Sequence, residues 1–261
     1  MANLRIGYLN YADLATITAD PVATTTGPVT YLQSDARGDI FLASSTASQD
    51  IKITWGGTAY TISQLTLWRH NLVYSDTVRL ILYPNADWTG TPLYDPGASA
   101  AYVSGLFDNW GWGFTNRYFT PVASVKSAIV RVAASAAAFQ CARLYLGPYT
   151  EAPVQAGEGL ILTPETNARQ SRSEGGSLRS VVKADWRSMT FDMMVGTEAY
   201  RAAWYEIGRY CNVNKALVAS LYPEAAGTSE RDHTIFGKFE KAPGMKIATN
   251  RYDFSMKLLE L

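Results

Sequence analysis

The chain has 261 residues, 47% of them hydrophobic and 18% charged, and its 23 Lys and Arg balance 23 Asp and Glu. That length fits one large β domain or two ordinary ones, and the apolar share is enough for a substantial core. With no net charge and no basic stripe there is no source for the counterion release that drives nucleic-acid binding, so sequence-specific nucleic-acid recognition is not expected.

In chain order, residues 1–150 read as all-β. Ile40–Ala43 is the first strand, and nothing in Met1–Ala23 can be placed. Ile51, Ile53 and Trp55 then alternate with Lys52 and Thr54. Tyr60–Trp68 follows, and Val78, Leu80 and Leu82 alternate with Thr77 and Arg79, the pattern of a half-buried strand. Ile129–Ala133 and Phe139–Leu146 add two more, with Gly56-Gly57, Pro84-Asn85 and Asp95-Pro96-Gly97 as punctuation. Many short strands with frequent turns predict a jelly-roll-like β-sandwich over 1–150.

Residues 151–160 form a linker with Pro and Gly and few large apolar side chains. Thr163–Leu178 is polar and rich in Arg and Ser, which predicts an extended or mobile loop. A second domain over 161–261 starts its strands at Met189, Phe191 and Met193. A helix over Thr197–Cys211 follows, with Thr197 as N-cap and Glu198 at the positive end of the dipole. Tyr200, Trp204, Ile207 and Cys211 make its apolar stripe. Leu217–Tyr222, Ile235–Phe239 and a closing strand with Tyr252, Phe254, Met256 and Leu258 on one face complete a small sheet or barrel with one packed helix. The fold class is therefore mainly β.

The chemistry-bearing residues are few. His70 has no second His, Cys or carboxylate at metal spacing, and turn chemistry accounts for His70-Asn71 at a strand end. No nucleophile elbow, phosphate loop or paired carboxylate motif is present, so no catalytic residue, metal or cofactor is expected. Cys141 and Cys211 read as buried free thiols of a reducing compartment. The start has no apolar leader-like run, and no run approaches 18 apolar residues, so neither a signal peptide nor a membrane span is expected. The aromatic loop Phe107–Phe119 offers two readings. Trp110 and Trp112 could stack on sugar faces while Asn109, Asn116 and Arg117 bond hydroxyls, or the rings could bury in the core or a subunit interface.

Four short motifs carry a resemblance. Arg69-His70-Asn71-Leu72 precedes Thr77-Val78-Arg79-Leu80, Tyr94-Asp95-Pro96-Gly97 follows, and Arg143-Leu144 with Gly147-Pro148 closes the half. In this order they resemble the amino-terminal, galactose-binding-like sandwich of bacteriophage distal tail and baseplate proteins. Trp186, Pro223, Gly237 and Tyr252 with Leu259-Glu260 match the layout of that family's second, tail-tube-like domain. The resemblance implies a virion protein at the tail tip, assembled in the host cytoplasm. It implies a homo-oligomeric ring, a hexamer favoured over a trimer, that joins the tail tube to hub or fibre proteins. Ring contacts are expected at Arg169, Arg172 and Glu174 of the polar loop and at Arg251 and Asp253 of the closing strand. A weak host glycan is a further expected partner. The alternative is a carbohydrate-binding adhesion module that recognises the host surface.

Overall fold

Short β-branched runs ended by Gly, Pro and Asn set the architecture, because each run must bury one face against another layer. A computed structural model of the chain describes residues 3–21, 23–102, 112–134, 137–153, 160–167, 169–174, 177–181, 185–225, 227–248 and 251–261. The fold is mainly β. The chain divides into two compact units: Met1–Glu151 with Leu217–Thr234, and Ala152–Ala216 with Ile235–Leu261.

The first unit contains β1 (Arg5–Gly7), β2 (Thr16–Asp20), β3 (Phe41–Leu42), β4 (Gln49–Thr54), β5 (Tyr60–His70), β6 (Thr77–Tyr83), β7 (Ser99–Ala100), β8 (Gly113–Val125), β9 (Ser127–Ala133), β10 (Gln140–Gly147) and β11 (Thr150–Glu151). They form two antiparallel sheets, ordered β2-β4-β9-β6-β7 and β3-β10-β5-β8. In β4 the alternation is kept, with Ile51 and Ile53 buried and Lys52 and Thr54 half-buried. The central strands β5 and β10 are buried along almost their whole length. The 3-10 turns at Tyr11–Leu14 and Val29–Gln33 pack on β10. Arg143 of β10 pins these turns: Nη1 reaches Asp13 at 2.6 Å and Nη2 reaches Asp35 at 3.0 Å. The stretch before residue 24, silent in the sequence, thus supplies two strands and the first of these turns.

The second unit begins with β12 (Ile161–Thr166), β13 (Arg169–Arg172), β14 (Leu178–Val181), β15 (Asp185–Val195) and the helix α1 (Glu198–Cys211). The chain then returns to the first unit as β16 (Leu217–Ser220), antiparallel to β1, and the short helix α2 (Gly227–Asp232). It closes with β17 (Thr234–Phe239), β18 (Gly244–Ala248) and β19 (Arg251–Glu260). In the second unit β12, β15, β19 and β17 lie side by side, with β18 also paired to β19. Met189, Phe191, Met193 and Val195 of β15 and Phe254, Met256 and Leu258 of β19 supply its core. Thr197 caps α1 by accepting from the Tyr200 amide, and Trp204, Ile207 and Cys211 are its buried stripe, while Tyr200 is exposed. The Arg187 guanidinium grips Glu260, Nη2 to Oε1 at 2.8 Å, and ties the start of β15 to the end of β19.

Two expectations need correction. Thr163–Leu178 is not one loop. Ile161–Thr166 pairs with β15 from Ile161↔Thr190 to Thr166↔Asp185, and Arg169–Arg172 pairs with Leu178–Val181. Weak local propensity is overridden once a neighbouring strand offers a ladder of donors and acceptors. Leu217–Ser220, read as part of the second half, instead lies with the first unit, because β1 presents its edge there.

Candidate functional site

Chemistry in the first unit gathers where β5 ends. His70 is fully buried and its protons have assigned places. Its Nδ1 accepts from the Leu72 amide at 3.3 Å, so Nε2 carries the hydrogen and donates to Thr115 Oγ1 at 3.0 Å. Thr115 passes its own hydroxyl hydrogen to the Ala101 carbonyl. Burial lowers the His70 pKa to about 3. Asn71 donates to the Ala138 carbonyl at 2.8 Å and accepts from the Gln140 amide at 2.8 Å. The pair holds the turn, as turn chemistry predicted. It offers no base to a substrate.

Above this turn is a pocket of about 280 Å³, lined by Tyr74, Ser99, Ala100, Ala101, Tyr102, Thr115, Asn116 and Arg117. The Tyr102 ring stacks 6.0 Å from His70, and Tyr74 meets Tyr102 edge-on at 6.2 Å. Tyr74 is 56% exposed and Tyr102 only 9%. Arg117 donates to three backbone carbonyls: Val78 at 2.8 Å, Ser99 at 3.2 Å and Ala100 at 2.7 Å. No described carboxylate pairs with it, whereas Arg5, Arg79, Arg131 and Arg143 of the same unit each face at least one. Burial lowers the Arg117 pKa.

The predicted glycan residues are thus placed unevenly. Asn109 and Trp110 lie outside the described residues. Trp112 is half-buried just before β8. Asn116 is consumed internally. Its Oδ1 accepts from Thr66 Oγ1 at 2.8 Å and Gln64 Nε2 at 3.1 Å, and its Nδ2 donates to the Tyr118 hydroxyl at 3.0 Å. Arg117 lines the pocket. Tyr74 and Tyr102 were missed because they stand 28 residues apart, on either side of β6 and β7. A lone Tyr in a polar turn is an everyday feature in sequence.

The predicted ring residues are on the second unit. Arg172 and Glu174 are exposed, and Arg169 heads β13. Arg251 pairs with Asp253 at 3.4 Å, two residues on along β19. The larger signal is apolar. Among the described residues, nine of twelve exposed large apolar side chains belong to this unit: Ile161, Leu162, Leu178, Val181, Met194, Tyr200, Tyr205, Val213 and Ile247, against Leu14, Tyr74 and Leu93 in the first. β12 ends its sheet, and the β13–β14 hairpin pairs with no other described strand. A groove of about 730 Å³ beside β18 is floored by Met193, Met194, Met245 and Phe254.

A second missed feature is Arg5. Its guanidinium lies between the rings of Tyr118 and Tyr149, 4.6 and 4.7 Å from their centroids. It pairs with Glu151 and Glu224, each at 3.0 Å. Burial by itself would lower its pKa, but the Glu151 hydrogen bond and the Glu224 charge leave it raised. The cluster joins β1, β8 and β11 to the segment after β16. Among the described residues no cluster of three metal-ligating side chains occurs, and no helix is long and apolar enough to cross a membrane.

No family model and no curated protein matches the chain. Solved structures similar to it include the chitosan-binding module 1 of a chitosanase/glucanase from Paenibacillus sp. IK-5, at 14% identity and TM-score 0.39, over 53% of this chain and 98% of that one. A CBM32-5 module from Clostridium perfringens, in complex with GalNAc-β-1,3-galactose, is similar at 12% identity and TM-score 0.41, over 54% and 100%. A fucose-binding module of Streptococcus pneumoniae is similar at 12% identity and TM-score 0.40, over 54% and 96%. At such scores the likeness carries no argument about what this chain binds.

Proposed function

We propose that this chain is a non-catalytic structural protein of a long phage tail tip, which assembles side by side into a ring through its second unit. The supporting observation is the distribution of exposed apolar surface. The second unit is the smaller of the two, yet it carries most of the exposed large apolar side chains among the described residues. It also presents a sheet-end strand and a self-paired hairpin. An isolated two-stranded hairpin is at best marginally stable in water, and an unpaired strand edge invites another chain. Such surface marks an assembly face. The sequence resemblance supplies the rest of the reading: a closed ring, six copies favoured over three, bridging the tail tube and the hub or fibre proteins. Light scattering with negative-stain microscopy across a range of concentrations tests it. Closed rings are expected, and a strict monomer at every concentration, alone and with tail-tube protein, would sink the ring.

A second reading has its own observation. The sandwich holds a pocket that sets two tyrosines beside a guanidinium that has no carboxylate partner among the described residues. That combination suits a glycan and supports an adhesion role for the first unit. Replacing Trp110 and Trp112 together by Ala should weaken binding to host cells while assembly persists. Loss of assembly instead would place those rings at a subunit contact.

A further inference from the structure

We infer that the pocket between Tyr74, Tyr102 and Arg117 takes a carboxylated pyranose, a uronic-acid unit, rather than a neutral sugar. The inference rests on the glycan-binding reading of the first unit and gives it a ligand class.

Three observations converge. The first is charge. A guanidinium drawn out of water costs free energy unless an anion or several dipoles answer it. Arg117 has carbonyl dipoles on three of its hydrogen bonds but no carboxylate among the described residues, in a unit where Arg79 and Arg131 sit in fork-like grips on Asp95 and Asp50. Of the five N–H donors of a guanidinium, those three bonds leave two for a ligand. The second observation is shape. A volume of about 280 Å³ is small for a drug-sized ligand and suits a single sugar ring. The third is the wall. Tyr74 is an exposed ring set edge-on to the buried Tyr102, which His70 backs from beneath. A flat apolar face beside one cation is what a pyranose with a single carboxylate presents in complement. The backbone conformation is held from below by the Leu72–His70–Thr115–Ala101 chain of hydrogen bonds, so the wall is built before a ligand arrives.

The test uses the full chain and four probes: glucuronate, glucose, sodium acetate, and a panel of neutral glycans, titrated by calorimetry or ligand-observed NMR. A ligand of this size, at ordinary efficiency per atom, binds at about millimolar strength. Glucuronate should saturate, while glucose, which lacks the charged hydrogen bond, and acetate, which lacks the ring that stacks on tyrosine, should each bind at least about tenfold more weakly. R117Q is the obvious variant, but it also removes three backbone bonds. Tyr74→Ala avoids this, because the ring is mostly exposed. It should weaken glucuronate about tenfold without moving the melting temperature, by loss of one stacking face. Acetate binding as tightly as glucuronate would overturn the sugar. Neutral glycans binding as tightly, and responding to Tyr74→Ala, would overturn the acid while leaving the glycan reading intact. If no probe binds, both fail. If glucuronate binds but Tyr74→Ala leaves its affinity unchanged, the ligand sits elsewhere and the pocket is wrong.

Discussion

His70 is held neutral by both of its nitrogens. One must accept from Leu72 and the other must donate to Thr115, and a second ring proton would face the Leu72 amide. Its pKa falls from 6.5 to about 3 on burial, so the unfolded chain binds the extra proton first. The contribution to stability is complete above pH 6.5 and is lost as pH falls from there through about 3, with a slope of up to about 1.4 kcal/mol per unit. Melting curves at pH 7.5, 5.5 and 4.5 should show the fall. His70→Gln should melt lower at pH 7.5 and lose much of the acid dependence between pH 6.5 and 4. A wild-type melting temperature that stays flat over that range would refute the assignment. Arg5 illustrates a different residue-scale effect. Arg5→Ala removes two ring faces and two ion pairs whose carboxylates are partly wet, and should cost about 2 kcal/mol in denaturant unfolding. A change below about 0.5 kcal/mol, the usual range for an inert surface substitution, would mean the cluster is incidental.

At the scale of elements, the hairpin is the place to separate folding from assembly. β14 is exposed at every residue and β13 pairs only with it among described strands. Replacing Arg169–Val181 by a flexible Gly-Ser linker should leave the melting temperature within a few degrees of wild type, yet abolish higher-order species in light scattering. Rings that survive the exchange would move the contact to β12 or β19. β17 makes the opposite point. Gly237 lies opposite Glu260 in the ladder, and a Cβ there would run into the Leu259 carbonyl of β19. Gly237→Ala must therefore push two paired backbones apart and should cost about 1–3 kcal/mol, measured by urea unfolding. This close approach explains why a glycine stands in the middle of a buried strand, where it would ordinarily weaken the element. Strands with a clean period of two, such as Gln49–Thr54 and Arg251–Glu260, were legible in the sequence, because their alternation is itself the physical cause of their burial. Ile161–Thr166 and Leu178–Val181 were not, because their residues are nearly all exposed and no buried face wrote a period into them.

At the scale of the whole molecule, the first unit is made of two separated stretches of chain. Leu217–Thr234 supplies β16 against β1 and places Glu224 on Arg5. A fragment that ends at Glu151 therefore lacks part of its own unit. It should unfold less cooperatively and at lower urea than the same unit in the full chain, as read by tryptophan fluorescence. Equal midpoints would show that the returning segment contributes nothing. By itself the sequence determined the fold class, the span of α1 and its stripe at Trp204, Ile207 and Cys211 though not at Tyr200, the phase of the alternating strands and the structural role of His70-Asn71. Each of these follows from local periodicity, capping or turn chemistry. Only the tertiary structure decided that Ile161–Thr166, Arg169–Arg172 and Leu178–Val181 are strands, that Arg5 is a clasp, that Asn116 is spent inside the sheet, and that Tyr74 and Tyr102 flank Arg117. Those facts depend on pairings between distant residues, whose free energy comes from desolvation and hydrogen bonding across strands and leaves no trace in the order of neighbours along the chain.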